Sequence, residues 1–207
     1  MRAPLPLEIA LARAVAGVSR LAGAGGGTTL PGKLLWKLDP DAVDRLAARL
    51  PRGSALVSAT NGKTTTAAMT AEILAPSVRL AHNRAGANLV SGVASALVAA
   101  RDAELGLFEV DEAALPEVAR RVAPRAVSLG NLFRDQLDRY GELELVAQRW
   151  REMARGLPAE AVLVANGDDP QLGEIASERP GSIVFGVDDP RHASAELQHA
   201  ADRKSVV

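Results

Sequence analysis

Apolar residues recur along this chain in two rhythms. From residue 54 onward, the runs SALVSA, SVRLAHN, LGLFEV, PRAVSLGN, AEAVLVAN and GSIVFGV have the length and apolar density of buried strands. Between them apolar positions fall three and four residues apart, which predicts helices near 63–75, 88–100, 112–122, 142–156 and 170–178. The stretch at 142–156 illustrates the helical period: Leu143, Val146, Ala147, Trp150, Ala154 and Leu157 share one face, while Arg149, Arg151, Glu152 and Arg155 lie largely off it. Strands alternating with helices predict an α/β fold, a mostly parallel sheet flanked by helices. Ligands in such sheets bind outside the carboxyl ends of the strands, so polar residues there are the first candidates for chemistry.

The first fifty residues follow a different pattern. Leu7, Leu11, Val15, Val18 and Leu21 fall on one helical face, with Glu8, Arg13 and Arg20 off it. Three charges within this stretch argue against a signal peptide or a membrane span. A helix docked on the domain is expected, with peripheral contact to a membrane surface as the alternative. The Gly-rich AGAGGGTT, residues 22–29, reads as a linker, so residues 1–29 form a helix and linker ahead of a domain from 30 to 207. LPGKLLWKLDPDAVDRLAARLP reads as a loop and then a short helix, capped by Asp39 or Asp41 and stopped at Pro51.

Composition narrows the classes. The 207 residues are 47% hydrophobic, enough for a packed core. A net charge of −1 argues against a general nucleic-acid binder that works by neutralising phosphates. With no cysteine there is no disulfide scaffold and no thiolate metal site within these residues, in keeping with a cytoplasmic setting.

Ser58 to Thr66, SATNGKTTT, joins the first strand to the first helix of the alternating region. It is either an ordinary strand-to-helix turn or a phosphate cradle. A helix N-terminus offers unpaired N–H groups and partial positive charge. Gly62 permits close backbone approach, Lys63 can reach β- and γ-phosphates, and Thr64 can place its hydroxyl on Mg²⁺. The general phosphate-loop pattern has a further glycine where Val57 stands. In LGLFEVDE, alternation puts Glu109 and Asp111 on one face at a strand's end, where a Mg²⁺ ligand is needed beside such a loop. Glu109 is the stronger candidate; the other reading is a solvated strand end leading into a helix.

ATNGKTTT, NRAGANLVSGV (83–93), FEVDE (108–112) and GNLFRDQLDRYGE (130–142), in this order, resemble the central ATPase domain of the Mur ligase family, a phosphate-loop α/β domain. The resemblance covers about residues 28 to 190. It implies ATP phosphates on Thr60, Asn61, Gly62, Lys63, Thr64 and Thr65, with Mg²⁺ on Thr64 and Glu109. It places Asn88 near the γ-phosphate and acceptor, giving Lys63, Glu109 and Asn88 as the catalytic set. Asn83 and Arg84 are active-site candidates that read equally well as a simple Asx turn. Asp135, Gln136 and Asp138 match the block that supplies a histidine metal ligand in the amino-acid-adding members.

Three departures refine the resemblance. Ala59 replaces a usual glycine and is tolerable only at negative φ. Gln136 stands at the histidine position, and an amide is a weaker metal ligand than imidazole. Arg151 lies where a lysine is carbamylated in the amino-acid-adding enzymes, a modification unavailable to a guanidinium. Together with the LPGK…DP approach at 31–40, these point to the branch of the family that amidates lipid II.

That branch implies an ATP-dependent carbon–nitrogen ligase of peptidoglycan synthesis, acting at the inner face of the membrane. It would activate the α-carboxylate of D-glutamate in lipid II as an acyl phosphate, with ammonia from a partner glutaminase, GatD. Full-length members also carry a cysteine-rich zinc ribbon and a C-terminal domain, so the chain is expected to be incomplete and inactive alone. The alternatives are a folylpolyglutamate synthase relative or a non-catalytic nucleotide-binding fragment. His82, His192 and His199 form no cluster and read as ordinary surface or packing residues.

Overall fold

A computed structural model describes residues 29–83, 87–133 and 142–187, together with residues 7, 9–12 and 14. Six strands form one parallel sheet: β1 (Ser54–Ser58), β2 (Leu80–His82), β3 (Leu105–Glu109), β4 (Ala126–Leu129), β5 (Val162–Asn166) and β6 (Ile183–Phe185), in the order β2-β3-β1-β4-β5-β6. All six predicted strands are present. The helices are α1 (Leu30–Leu38), α2 (Ala42–Ala47), α3 (Lys63–Leu74), α4 (Val90–Ala99), α5 (Leu115–Val122), α6 (Glu142–Gly156) and α7 (Pro170–Ser177). The five predicted between strands are α3 to α7, each starting and ending within about three residues of expectation, the scatter normal for helix ends.

Register explains where the core sits. Phe108, Leu56, Val127 and Leu163 are cross-strand neighbours along one row, and each is essentially inaccessible. Side chains alternate across a strand, so this row lines one face and meets the buried residues of α4, α5, α6 and α7. The other face carries a smaller cluster, Val57 and Leu107 under Ala67 and Ala71 of α3. β1 therefore sits at mid-sheet, with its chain leaving toward β2 over one face, while the later crossovers run toward β6 over the other.

Two expectations for the N-terminal region change. The segment from residue 30, expected to begin as a loop, is the helix α1. Pro31 lies in the first turn, where a missing N–H costs nothing, and Leu35 is fully buried. Gly32 marks the crossing with α4: its N–H donates to Ser95 Oγ at 2.8 Å, and a β-carbon there would lie 1.8 Å from the Ser91 carbonyl oxygen. Asp39 accepts the Asp41 N–H and pairs with Arg45, whereas Asp41, at the start of α2, makes no side-chain cap.

The described residues between 7 and 14 are helical, but the packed face is not the predicted leucine stripe. Ile9 and Ala12 are in the core, while Leu7 and Leu11 are 61% and 49% exposed. The remaining stripe positions, Val15, Val18 and Leu21, lie outside the described residues. Among the described residues, no helix is long and apolar enough to cross a membrane.

Candidate functional site

All strands run the same way, so the loops after β1, β2, β3 and β4 emerge at one edge of the sheet. Gly62 ends the turn after β1 with φ +84°, a conformation that disfavours any side chain, and the space where a β-carbon would stand is open. It is the N-cap of α3 and offers no side chain to cap it; the first helical bond runs from Thr66 N–H to Gly62 O at 2.9 Å. The amides of the first turn thus precede the intrahelical ladder and point out of the helix end, where an anion is favoured.

Thr64 and Glu109 meet beside this end. Thr64 Oγ1 donates to Glu109 Oε1 at 2.8 Å, although 45 residues separate them, because β1 and β3 are paired neighbours. Glu109 is the last residue of β3 and only 2% exposed. Lys63 folds over the loop, with Nζ 3.3 Å from the Thr60 carbonyl and 3.4 Å from Glu112 Oε2. Thr65, one residue on, is exposed. The structure therefore brings together Thr60 to Thr65 and Glu109, the residues singled out from sequence for phosphate and metal.

A hard divalent cation fits the donors at this point. Mg²⁺ takes oxygen ligands and is commonly held by one or two carboxylates with substrate phosphates and water. Thr64 Oγ1 and Glu109 Oε1 supply a hydroxyl and a carboxylate oxygen side by side. Among the described residues, no group of three or more His, Cys, Asp or Glu could hold a metal.

Asn83 is a clamp. It is 3% exposed, and its side-chain amide donates to the carbonyls of Ala87 and Glu109, both at 2.7 Å, while its oxygen accepts the Glu109 N–H at 2.9 Å. It therefore fixes the backbone of Glu109 and the approach to Asn88. Asn88 is half-buried, and its carbonyl accepts the Asp111 N–H at 2.9 Å. Asp111 does not share the face of Glu109 by strand alternation, because β3 stops at Glu109. Its Oδ1 instead accepts the Ala113 N–H at 3.0 Å and shapes the turn into α5. Arg84, Asp135, Gln136 and Asp138 lie outside the described residues.

Three functional contacts escaped the sequence reading. Asn131, just after β4, accepts the Asn61 N–H on Oδ1 at 2.9 Å and donates from Nδ2 to the Asn61 carbonyl at 3.0 Å. Its backbone carbonyl accepts the Thr60 N–H at 2.9 Å, and the Phe133 N–H donates to Thr60 Oγ1 at 3.1 Å. The Asn61 amide is thus committed to shaping the loop. Glu112, in the first turn after β3, is the partner of Lys63, and its carbonyl is held by Trp150 Nε1 at 2.9 Å. Asp169 caps α7 through Gln171 and Leu172 while its Oδ2 accepts the Leu132 N–H at 2.8 Å, steadying the loop that carries Asn131. Side-chain amides and acids at strand ends were the available signal; which loop each reaches depends on strand order.

The departures from the usual motif have local explanations. Among the described non-glycine residues only Ala123 has positive φ, so Ala59 keeps an ordinary backbone. Its methyl fits because Gly130 opposite has none; a β-carbon at Gly130 would lie 2.9 Å from that of Ala59. Arg151 pairs with Glu174 at 2.6 Å and Glu178 at 3.1 Å, stapling α6 to α7. His82 donates from Nδ1 to the Leu107 carbonyl at 2.7 Å, a packing role, while His192 and His199 lie outside the described residues.

Both the sequence and the fold have known relatives. The sequence pattern of the Mur ligase middle domain matches residues 57–207. Subunit MurT of the glutamine-hydrolysing lipid II isoglutaminyl synthase from Staphylococcus aureus (strain N315) is 31% identical over 187 residues, covering 89% of this chain and 42% of that protein. The MurT subunit from Streptococcus pneumoniae (strain ATCC BAA-255 / R6) is 35% identical over 180 residues, covering 84% and 39%. The chain thus spans about two-fifths of the length of these curated relatives. Among solved structures, MurF ligase from Thermotoga maritima in complex with ADP aligns with a TM-score of 0.64 at 17% identity, over 72% of this chain and 36% of that one. MurF from Acinetobacter baumannii gives 0.59 at 18% identity, over 77% and 34%. At these identities the structural likeness speaks for the fold.

Proposed function

The chain belongs to the Mur ligase family, and from that premise we propose that it is the ATP-binding part of a MurT-type synthetase subunit that amidates lipid II. The single observation that carries the proposal is the meeting of an uncapped helix end, Lys63, Thr64 and the buried carboxylate of Glu109 at one edge of the sheet. MurT relatives at 31% and 35% identity support the branch. The family activity is an ATP-dependent ligation, and one fold neighbour is in complex with ADP.

In this reading the turn at Thr60–Gly62 shapes the cradle and the first-turn amides of α3 receive the β- and γ-phosphates. Lys63 exchanges its contact with Glu112 for a phosphate oxygen, neutralising charge that builds as the γ-phosphoryl leaves. Thr64 and Glu109 would hold Mg²⁺, which supplies further neutralisation when bound. Asn88, next to the clamp made by Asn83, would orient the acceptor carboxylate. A carboxylate oxygen of the D-glutamyl acceptor attacks the γ-phosphorus and the bond to ADP breaks, giving an acyl phosphate. Ammonia then displaces phosphate from the acyl carbon and loses a proton, leaving D-isoglutamine. The MurT relatives are subunits of a glutamine-hydrolysing synthase, so in this reading ammonia comes from a GatD-type glutaminase partner. The whole reaction is assigned to the complete subunit in that complex, at the cytoplasmic face of the membrane, with residues 30–207 contributing its central domain.

The test separates nucleotide binding from ligation. ATP with Mg²⁺ is expected to raise the melting temperature of the chain, as any ligand selective for the native state does. Lys63→Ala should abolish that rise, and Glu109→Gln should remove its Mg²⁺ dependence. A full-length subunit with its glutaminase should form amide from lipid II and glutamine. An unchanged nucleotide-induced rise in Lys63→Ala sinks the site. Nucleotide binding without amidation leaves a nucleotide-binding module, or a ligase for another acceptor such as a folylpolyglutamate synthase relative.

A further inference from the structure

A groove of about 250 Å³ opens between α1, the start of α4 and the turn before α5, lined by Lys33, Trp36, Leu89, Val90, Ser91 and Ala114. No step proposed above uses it. Its walls are mainly apolar, with a cation at the rim. Among the described residues, no carboxylate is within ion-pairing reach of Lys33, which is exposed. Trp36 is held in place: the Arg121 guanidinium stacks over its ring at 4.5 Å, and Arg121 is itself fixed by Glu117, Asp44 and the Pro40 carbonyl. One wall is thus a braced indole, and another is Leu89, a large apolar side chain left 52% exposed.

The groove adjoins the phosphate site. Leu89 follows Asn88, whose carbonyl binds the Asp111 N–H, and Ala114 lies two residues beyond Glu112, the partner of Lys63. Two residues of chain span at most roughly 7 Å, so the groove and the loop share one edge of the sheet. Its volume lies just below the roughly 300–1,000 Å³ of pockets that enclose a whole small ligand. One moiety of a larger acceptor fits it. Leu89, Val90 and Trp36 match a hydrocarbon chain, and exposed Lys33 matches an anion attached to that chain.

We propose that this groove binds the junction between a phosphate-type anion and a polyprenyl chain, placing Lys33 on the diphosphate and the first isoprene units against Trp36 and Leu89. The assignment rests on the reading of a lipid-linked acceptor. It adds where that acceptor is gripped away from the reacting carboxylate. Binding there would set affinity for lipid-linked over soluble acceptors, while Lys63 and Glu109 serve the chemistry.

Farnesyl diphosphate, kept below its aggregation threshold, is the probe. The chain has two tryptophans, and Trp150 is fully buried, so a change in emission on titration reports on Trp36. Farnesyl diphosphate is expected to shift that emission, with inorganic pyrophosphate and farnesol each at least about tenfold weaker. Lys33→Glu and Leu89→Asp alter exposed side chains and should each weaken binding by about tenfold with unchanged melting temperatures. Lys63→Ala should leave the titration intact. No shift, or equal binding by pyrophosphate or farnesol alone, overturns the proposal. So does loss of the shift in Lys63→Ala with retention in Lys33→Glu, since the diphosphate would then sit in the phosphate loop. The nucleotide melting assay is independent of this titration, so failure here leaves the ATP site standing, and failure there leaves the groove testable.

Discussion

Asn131 does for the phosphate loop what no residue inside the loop can do. Its amide holds both the N–H and the carbonyl of Asn61, presetting the turn before any anion arrives. Two such hydrogen bonds contribute roughly 1–3 kcal/mol to holding that conformation. Asn131→Ala is therefore expected to weaken ATP binding by about tenfold in calorimetric titration, at little cost to melting temperature without nucleotide, because Asn131 is only half-buried. Asn131→Asp should be worse still, since it discards the donor and sets a negative charge beside the phosphates. The GNLF block was readable as a strand end, but the target of its asparagine was not. Reaching Asn61 requires β4 to lie beside β1, a contact across 70 residues of chain. Asn83 has the same lesson in reverse. An Asx turn and an active-site role were both open from sequence, and burial with three backbone contacts assigns it to holding Glu109.

Elements are joined here by a few contacts that local propensity does not announce. The α1–α4 crossing depends on the missing side chain of Gly32, which lets the helices meet at backbone distance. Gly32→Ala would push a methyl into the Ser91 carbonyl and strain the Gly32–Ser95 bond, so a loss of about 3 kcal/mol in urea unfolding is expected, the upper range for overpacking. Pro-Gly signals a turn in most sequences; here the proline starts a helix and the glycine serves its packing. A second tie runs through α5, where Arg121 bonds Glu117, Asp44 and the Pro40 carbonyl. Burial raises the Glu117 pKa, but the hydrogen bonds and charges of Arg121 and Arg120 outweigh it and hold the carboxyl below its ordinary 4.5. A folded-state pKa below the unfolded one means stability that is present above pH 4.5 and lost as pH falls through the folded value. Glu117→Gln should accordingly lower the melting temperature slightly at neutral pH, and the gap from the parent should close in acid. The effect is small because the carboxylate is 40% exposed and screened by water.

At the scale of the molecule, strand order decides both the site and a hazard. Placing β1 between β3 and β4 assembles Gly62, Glu109 and Asn131 from three separate segments at a point where the chain reverses its direction across the sheet. At the other end, Ile183, Val184 and Phe185 of β6 are each about half exposed along what is, among the described residues, an edge strand, the arrangement that invites pairing with another chain. The chain is expected to self-associate with rising concentration in sedimentation velocity, and Val184→Lys should shift it toward monomer without moving the nucleotide-induced melting rise. The alternation of apolar runs and helical faces determined from sequence that this is a parallel α/β domain, because each period reflects which sides of an element must leave water. The Asn-Gly-Lys-Thr turn likewise marked the candidate anion site, because glycine and lysine are local requirements of such a turn. Only the tertiary structure decided that Glu109 meets Thr64, that Asn131 and Glu112 serve the loop, that Asp111 does not follow Glu109, and that Ile9 and Ala12, not Leu7 and Leu11, face the core. Each of these depends on which distant segment lies alongside, and strand order and helix crossings are settled by the summed packing of the whole core, which no local stretch of sequence contains.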